Sequence, residues 1–181
     1  MTLIINLFGG PGCGKSTTAA GIFSDLKRAG VNAELVSELV TEFAKDKVWE
    51  KSNKIFQNQY YIFGKQHWKL FRTLGEVDVV VTDSPLLLSI VYNDLYAKKA
   101  AFNAMALEAF NEFNNLNYVL TRTKVYNPKG RNQTEEEACN IDGLTRKMLE
   151  DNGVSYTELM YDTDQETIFN TVMQQVEHLV H

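Results

Sequence analysis

The sequence has few of the features that mark secreted, membrane-spanning or zinc-binding proteins. Its 181 residues include two cysteines and three histidines, which do not form a cluster with the spacing of a zinc site. A disulfide between Cys13 and Cys139 would distort the glycine-rich stretch around Cys13, so we expect reduced thiols. No apolar run approaches the ~20 residues of a membrane span, and the N-terminus enters a predicted strand without a signal core. We therefore expect a cytoplasmic protein with no membrane partner.

The sequence also lacks an excess of positive charge. Its formal net charge is −5, which argues against a large electrostatic footprint on nucleic acid but allows a local basic groove. The composition, 44% hydrophobic and 23% charged, is typical of a globular protein with a substantial core. Because there is no repeat, low-complexity tract or linker, we predict a single domain over residues 1–181.

The strongest motif is the run Gly-Gly-Pro-Gly-Cys-Gly-Lys-Ser-Thr at residues 9–17. Gly9, Gly14, Lys15 and Ser16 fit the pattern G-x-x-x-x-G-K-[ST]. Glycines let the backbone take positive φ and approach an anion, so that successive N–H groups surround phosphates. We expect Lys15 to reach the β- and γ-phosphates of ATP and the Ser16 hydroxyl to hold Mg²⁺. The predicted nucleotide-binding residues of this loop are Gly10, Gly12, Cys13, Gly14, Lys15, Ser16 and Thr17.

Strands and helices alternate along the chain, which is typical of a parallel sheet with helices on both faces. The predicted strands are residues 2–8, 32–37, 77–82, 118–120 and 154–160. The predicted helices are residues 15–28, 52–74, 86–96, 100–113, 135–152 and 165–180. For the segment 38–49, the sequence allows two interpretations, a short helix or a structured loop. A strand directly before the glycine-rich run and a helix directly after it favour a phosphate site over a simple turn. We predict an α/β P-loop NTPase or kinase fold with a five-stranded parallel sheet and a small lid at about residues 123–134.

Acidic residues follow two of the predicted strands, on the sheet edge where parallel sheets bind ligands. Asp83 follows the strand 77–82 and is predicted to hold Mg²⁺ or to take the proton of an attacking hydroxyl. The alternative is that Asp83 only caps the next helix. Glu38 and Glu42 follow the second strand, four residues apart. One of them, with Glu38 preferred, would bind a substrate hydroxyl or act as base; the alternative is two solvated surface acids.

The most basic stretch is residues 122–131, which follows the fourth predicted strand. A loop there can close over phosphates, with Arg122 at the nucleotide and Arg131, or Arg122 in its place, at the transferring phosphoryl group. The alternative is a solvated loop whose charges balance the acidic residues 135–137 that follow.

The predicted helix 52–74 is rich in aromatic residues. Gln59, Tyr60 and Phe63 are predicted to contact the acceptor, because aromatic rings stack on bases and Gln pairs with base edges. The alternative is that these aromatic rings belong to the core, as helical aromatics often do.

With these motifs in view, the chain resembles the thymidylate-kinase-like and deoxynucleoside-kinase-like group of small P-loop kinases. Residues 7–20, 81–89 and 126–137 are similar to a family of bacteriophage kinases. That family includes the enzymes that phosphorylate 5-hydroxymethyluracil in phage DNA, an early step of thymidine hypermodification. The resemblance implies an ATP-bound core, a mobile lid and a hydroxyl acceptor. It also implies that Lys15 and Ser16 serve phosphate and Mg²⁺, that Arg131 is the lid arginine, and that a phage-encoded protein acts in the host cytoplasm.

We therefore expect an ATP-dependent phosphotransferase that acts on a hydroxyl of a nucleotide-type acceptor. The most specific expectation is the hydroxymethyl group of 5-hydroxymethyluracil in phage DNA. The alternatives are a free nucleoside or nucleoside-monophosphate kinase, an NTPase switch or motor without transfer, and a nucleotide-binding module without chemistry. The sequence leaves open whether the protein is a monomer or a homodimer.

Overall fold

The chain folds into a central parallel sheet flanked by helices. The structure, a computed structural model, describes residues 2–37, 54–123, 126, 133–160 and 165–177. The strands are β1 (Leu3–Phe8), β2 (Ala33–Val36), β3 (Val79–Thr82), β4 (Asn114–Thr121) and β5 (Thr157–Met160). The helices in this part of the chain are α1 (Lys15–Arg28), α2 (Lys54–Gln57), α3 (Gln59–Phe71), α4 (Leu88–Tyr96), α5 (Ala100–Asn111), α6 (Glu135–Asp151) and α7 (Gln165–Val176).

The sheet has the order β2-β3-β1-β4-β5, and its strand pairs are all parallel. The predicted five-stranded parallel sheet is thereby confirmed. In the register, Asn6 of β1 lies opposite Thr82 of β3 and Asn117 of β4. The carboxyl ends of β1, β3 and β4 therefore lie side by side, and the loops that follow them share one edge of the sheet.

Each face of the sheet is buried by its own set of helices, because alternate residues of a strand point to opposite faces. On β1, Leu3, Ile5 and Leu7 pack in a core cluster with side chains of α1 and α7. Ile4 and Phe8 pack in a second cluster with side chains of α3, α4, α5 and α6. The predicted arrangement of helices on both faces is therefore confirmed.

Several element boundaries differ from the predicted ones; strand β5, for example, begins at Thr157 and not at residue 154. Polar side chains explain two of these differences. The helix expected over residues 52–74 is divided at Asn58, whose backbone (φ −102°, ψ 62°) leaves the helical region and whose side chain accepts the Tyr61 N–H. Strand β4 begins four residues earlier than expected. Its first half is polar, but the Asn6 side chain donates to the side-chain oxygens of Asn115 and Asn117 at 2.9 and 3.0 Å. This amide network satisfies polar groups within the sheet.

Some predicted features lie outside the described residues. These are the ambiguous segment 38–49 with Glu38 and Glu42, and most of the predicted lid, including Arg131. Both cysteines are free, as predicted, with Cys13 buried and Cys139 exposed. Among the helices that the structure describes, none combines the length and the apolarity needed to span a membrane.

Candidate functional site

The glycine-rich loop joins β1 to α1 at the carboxyl edge of the sheet. Gly9, Gly12 and Gly14 have φ of 140°, 81° and 104°, values that other residues adopt only with strain. Gly14 is the N-cap of α1, and this helix has neither a side-chain cap nor an acidic residue in its first turn. The first N–H groups of α1, with the positive end of the helix dipole, are therefore suited to bind an anion.

Lys15 and Ser16 lie at this helix start. The Lys15 Nζ donates to Gly9 O at 2.7 Å and to Gly10 O at 3.0 Å, so the ammonium is held against the loop. Ser16 is exposed. Mg²⁺ at nucleotide sites takes few protein ligands and completes its shell with phosphate oxygens and water. An exposed hydroxyl at the start of α1, as on Ser16, fits such a site as its single protein ligand. The described residues contain no cluster of three or more His, Cys, Asp or Glu side chains suited to a metal.

Asp83 follows β3, the strand next to β1. It is 5% exposed, and the pairing of Asn6 with Thr82 puts it beside the start of the glycine-rich loop. The alternative role of Asp83 is a cap on the next helix, but Asp83 is not the N-cap residue of that helix. Helix α4 begins at Leu88, and its N-cap is Leu87, with no side-chain cap. The predicted role of Asp83 in binding Mg²⁺ or taking a proton stays a prediction.

Arg122, predicted to contact the nucleotide, is bound to Asp142 of α6. Its Nε donates to Asp142 Oδ2 at 2.9 Å, and its Nη2 donates to Pro11 O at 2.8 Å. Burial lowers the pKa of the Arg122 guanidinium, but the hydrogen bond and charge of Asp142 outweigh burial and raise it above its usual value. Asp142 also accepts the Gly10 N–H at 2.5 Å. The Gly10 N–H is therefore bonded within the protein, and the predicted contact of Gly10 with the nucleotide stays a prediction.

Asp142 is the residue of this site that the sequence analysis missed. The buried positions of α6 are Ala138, Ile141, Asp142, Thr145, Met148 and Leu149. An acidic residue on this otherwise uncharged helix face was the available signal, because a buried carboxylate needs a partner.

A second group of residues lies next to Asp83, around a small cavity. The cavity is lined by Phe56, Gln59, Ile62, Ser84, Leu88, Ser89 and Tyr92. Gln59 is 2% exposed; its Nε2 donates to Phe56 O at 2.8 Å, and its Oε1 is buried without a hydrogen-bond partner. The Phe56 ring stacks on the rings of Tyr92 and Tyr96, with centroid distances of 5.8 and 5.7 Å. The cavity therefore combines flat rings with one unsatisfied acceptor.

Of the three predicted acceptor contacts, only Gln59 lines this cavity. Phe63 is buried in the core cluster, where its ring packs edge-on against Phe102. Tyr60 is half exposed, packs edge-on against Phe102 at 5.2 Å and has the Lys99 Nζ 4.9 Å from its ring centroid. Phe56 and Tyr92 line the cavity and were not singled out from the sequence.

Tyr96, which stacks on the cavity-lining Phe56, contacts Gln133 at the end of the predicted lid. Burial and the charge of Glu137 raise the pKa of Tyr96, and a hydrogen bond from the Gln133 side chain opposes that rise. Tyr96 therefore joins the stacked rings to Gln133, which directly precedes the N-cap of α6.

Comparison with known proteins identifies the family. A model of an AAA domain family matches residues 4–166, nearly the whole chain. The chain belongs to this AAA domain family. The AAA domain is also similar to a solved structure titled as NadR protein in complex with NR, with a TM-score of 0.75 at 14% identity. The match covers 96% of this chain and 51% of that one, so this chain spans about half its length. A search of the curated proteins finds no match.

These findings agree with the geometry of the loop. The AAA domain has an α/β P-loop NTPase fold, as predicted, and its phosphate loop supports the binding of ATP or a related nucleotide. Chemically, the site offers N–H groups and an ammonium to phosphates and a hydroxyl to Mg²⁺. It also brings the Asp83 carboxylate to the same sheet edge as the loop and Gln59 close to that edge.

Proposed function

We propose that the AAA domain is an ATP-dependent phosphotransferase that acts on a hydroxyl of a nucleotide-type acceptor. The observation that carries this proposal is the ring-lined cavity with Gln59, which reaches Ser84, the residue after Asp83. In this proposal the flat acceptor enters at this small cavity, next to the phosphate loop, and the Asp83 carboxylate acts between the acceptor and the phosphates. A hydrolase that transfers phosphate only to water has no need of the second site.

The residues of the site divide the work in this proposal. ATP would supply the γ-phosphoryl group and leave as ADP, and Ser16 would hold a Mg²⁺ that offsets the charge of the phosphates. Lys15 and the loop N–H groups orient the phosphates and stabilise the charge that develops on them. Asp83 takes the proton from the acceptor hydroxyl or binds the Mg²⁺ shell. Arg131, outside the described residues, is the proposed lid arginine.

Gln59 supports an acceptor that presents an N–H group at the edge of a flat ring. Its amide orientation follows from its neighbour, because a carbonyl such as Phe56 O accepts only from the NH₂ side. The Oε1 is therefore the free acceptor. A uracil-type ring offers an imide N–H as the matching donor, and Phe56 and Tyr92 provide rings on which a base can stack.

The specific acceptor that we propose is the hydroxymethyl group of 5-hydroxymethyluracil in DNA. Its support is the resemblance of residues 81–89 and 126–137 to phage kinases of that kind, together with the preference of Gln59 for an imide edge. A free nucleoside or nucleoside monophosphate is the second candidate, because a net charge of −5 disfavours a polyanionic acceptor.

The test is a transfer assay with ATP labelled at its γ-phosphate. The acceptors are duplex DNA with 5-hydroxymethyluracil, the same DNA with thymine, the free hydroxymethylated nucleoside, thymidine and its monophosphate. The Lys15→Ala variant controls for contaminating kinases. Label in the hydroxymethylated DNA alone supports the specific proposal, and label in a free nucleoside or nucleotide supports the second candidate. Release of inorganic phosphate without any labelled acceptor would identify an NTPase and overturn the proposal.

A further inference from the structure

The Gly9–Gly10 peptide unit is held from two sides by charged side chains. Its N–H, from Gly10, donates to Asp142 Oδ1, and its carbonyl, from Gly9, accepts from Lys15 Nζ at 2.7 Å. A peptide unit is planar, and its N–H and C=O point in opposite directions. Asp142 therefore fixes the direction of the carbonyl that holds Lys15, although the carboxylate and the ammonium do not touch.

The next turn of the loop is held by the partner of Asp142. Arg122 donates its Nε to Asp142 and its Nη2 to Pro11 O, so one planar guanidinium ties the carboxylate to the loop. Both side chains are 11% exposed, which shields the pair from solvent screening. Gly10 leaves room for this contact, because a Cβ there would lie 2.5 Å from Ala138 O and 2.8 Å from Asp142 Oδ1.

The Arg122–Asp142 pair also joins the two ends of the predicted lid. Arg122 follows β4 and precedes residues 123–134, and Asp142 lies on the helix that comes after them. The loop, the end of β4 and helix α6 therefore meet at one ion pair.

We propose that Asp142 is a positioning residue for nucleotide phosphates, which acts through Arg122 and the Gly9–Gly10 peptide to set the phosphate loop and Lys15. This inference rests on the nucleotide site of the proposed function, but not on the identity of the acceptor. In this proposal Asp142 and Arg122 hold the loop in place through Gly10 and Pro11 and do not contact the phosphates. Lys15 and the N–H groups after Gly10 bind the phosphates.

The test measures equilibrium binding of a non-hydrolysable ATP analogue to the full chain, so it needs no transfer. The variants are Asp142→Ala, Asp142→Asn and Arg122→Lys, and the control is Glu158→Gln. Glu158 of β5 forms a 3.0 Å ion pair with Arg146 of α6 and accepts the Thr121 O–H at 3.5 Å, so this control removes a neighbouring ion pair of α6 that is bonded neither to Asp142 nor to the loop. Unfolding midpoints are measured in parallel. We expect the Kd of the analogue to rise by about ten- to hundredfold in the Asp142 variants and to stay within twofold in Glu158→Gln.

A double-mutant cycle separates positioning from general stability. Because Asp142 acts on phosphates partly through Lys15, its replacement should weaken binding less in a Lys15→Ala background than in the wild-type chain. A lowered unfolding midpoint with an unchanged Kd would make Asp142 merely structural and overturn the proposal. If Asp142→Ala does not fold, Asp142→Asn and Arg122→Lys, which keep side-chain volume, decide in its place. Normal analogue binding without phosphate transfer would reject the phosphotransferase and leave this inference standing, and a wild-type chain that binds no analogue would reject both.

Discussion

Lys15 keeps its full charge for a ligand because its partners are carbonyl oxygens. Gly9 O and Gly10 O carry only partial charge, whereas a carboxylate partner would neutralise the ammonium. The same two carbonyls hold the side chain in one place, which lowers the entropy lost when it meets a phosphate. The glycines set the backbone conformation of the loop, and the loop carbonyls in turn set the position of the Lys15 ammonium.

Lys15→Ala should lower the rate of transfer by about 10²- to 10³-fold, because an ammonium that stabilises charge on the phosphates is lost. The measurement is kcat with saturating ATP, alongside the far-UV circular dichroism spectrum, which should not change. Lys27→Ala, in the last turn of the same helix, is the matched control and should retain normal turnover. Near-normal turnover of Lys15→Ala would contradict the phosphate-loop assignment.

Asp83→Asn should cause a large loss of kcat with a small change in melting temperature, since the amide keeps size and hydrogen bonding but removes the charge. The control is Asp78→Asn, at the opposite end of the same strand, which should leave kcat unchanged. Retained activity with a lowered melting temperature would show that Asp83 has only a structural role.

Gln59→Leu should lower kcat/KM for a uracil-type acceptor on the order of ten- to hundredfold, because the N–H of the ring is left without an acceptor. The KM for ATP should not change. Gln57→Leu, exposed and two residues away, is the control. An equal loss with both variants would indicate a general effect on α2 and α3, not recognition of the acceptor.

At the level of elements, the predicted lid is tied to the site at both of its ends. The residues of the Arg122–Asp142 pair lie on either side of it in sequence, and α6 begins with a capping box in which Thr134 and Glu137 bond reciprocally. The capping box fixes where the helix starts, and therefore where the lid ends.

Arg131→Lys should lower kcat markedly although it keeps the charge, because the planar guanidinium matches two phosphate oxygens and an ammonium does not. Arg131→Ala should barely change thermal stability. Hydrogen exchange over residues 124–133 should slow on addition of a non-hydrolysable ATP analogue. A fully active Arg131→Lys enzyme with unchanged exchange would reduce this stretch to an ordinary solvated loop.

The sequence predicted the elements whose signals are local. Neighbouring residues were enough to predict the phosphate loop, α1 and the start of α6. The alternation of strands and helices along the chain was enough to predict a parallel sheet. The partner of Gly10 did not, because Asp142 is 132 positions away and only the folded chain brings them together. The early start of β4 was missed for the same reason, since its polar residues are satisfied by Asn6, more than 100 positions away.

At the level of the whole molecule, stability should depend on the larger of the two core clusters. Phe102 is fully buried there and meets Tyr60 and Phe63 edge-on. Phe102→Ala should lower the free energy of unfolding by about 3–5 kcal/mol. Trp68→Ala, at a side chain that is 62% exposed, should change it by about 0.5 kcal/mol or less. Urea unfolding followed by circular dichroism gives both values, and equal losses would contradict this picture of the core.

The two cysteines differ in exposure, so thiol labelling of the wild-type chain can report on the opening of the phosphate loop. Cys139 is exposed on α6, two residues after the capping box, whereas Cys13 is buried within the phosphate loop. A thiol reagent should therefore label Cys139 at once and Cys13 only when the loop opens. At reagent concentrations where the rate of the slow second labelling event no longer rises, that rate is the opening rate of the loop. No engineered probe is needed, and a fluorophore on Cys139 lies near the end of the predicted lid.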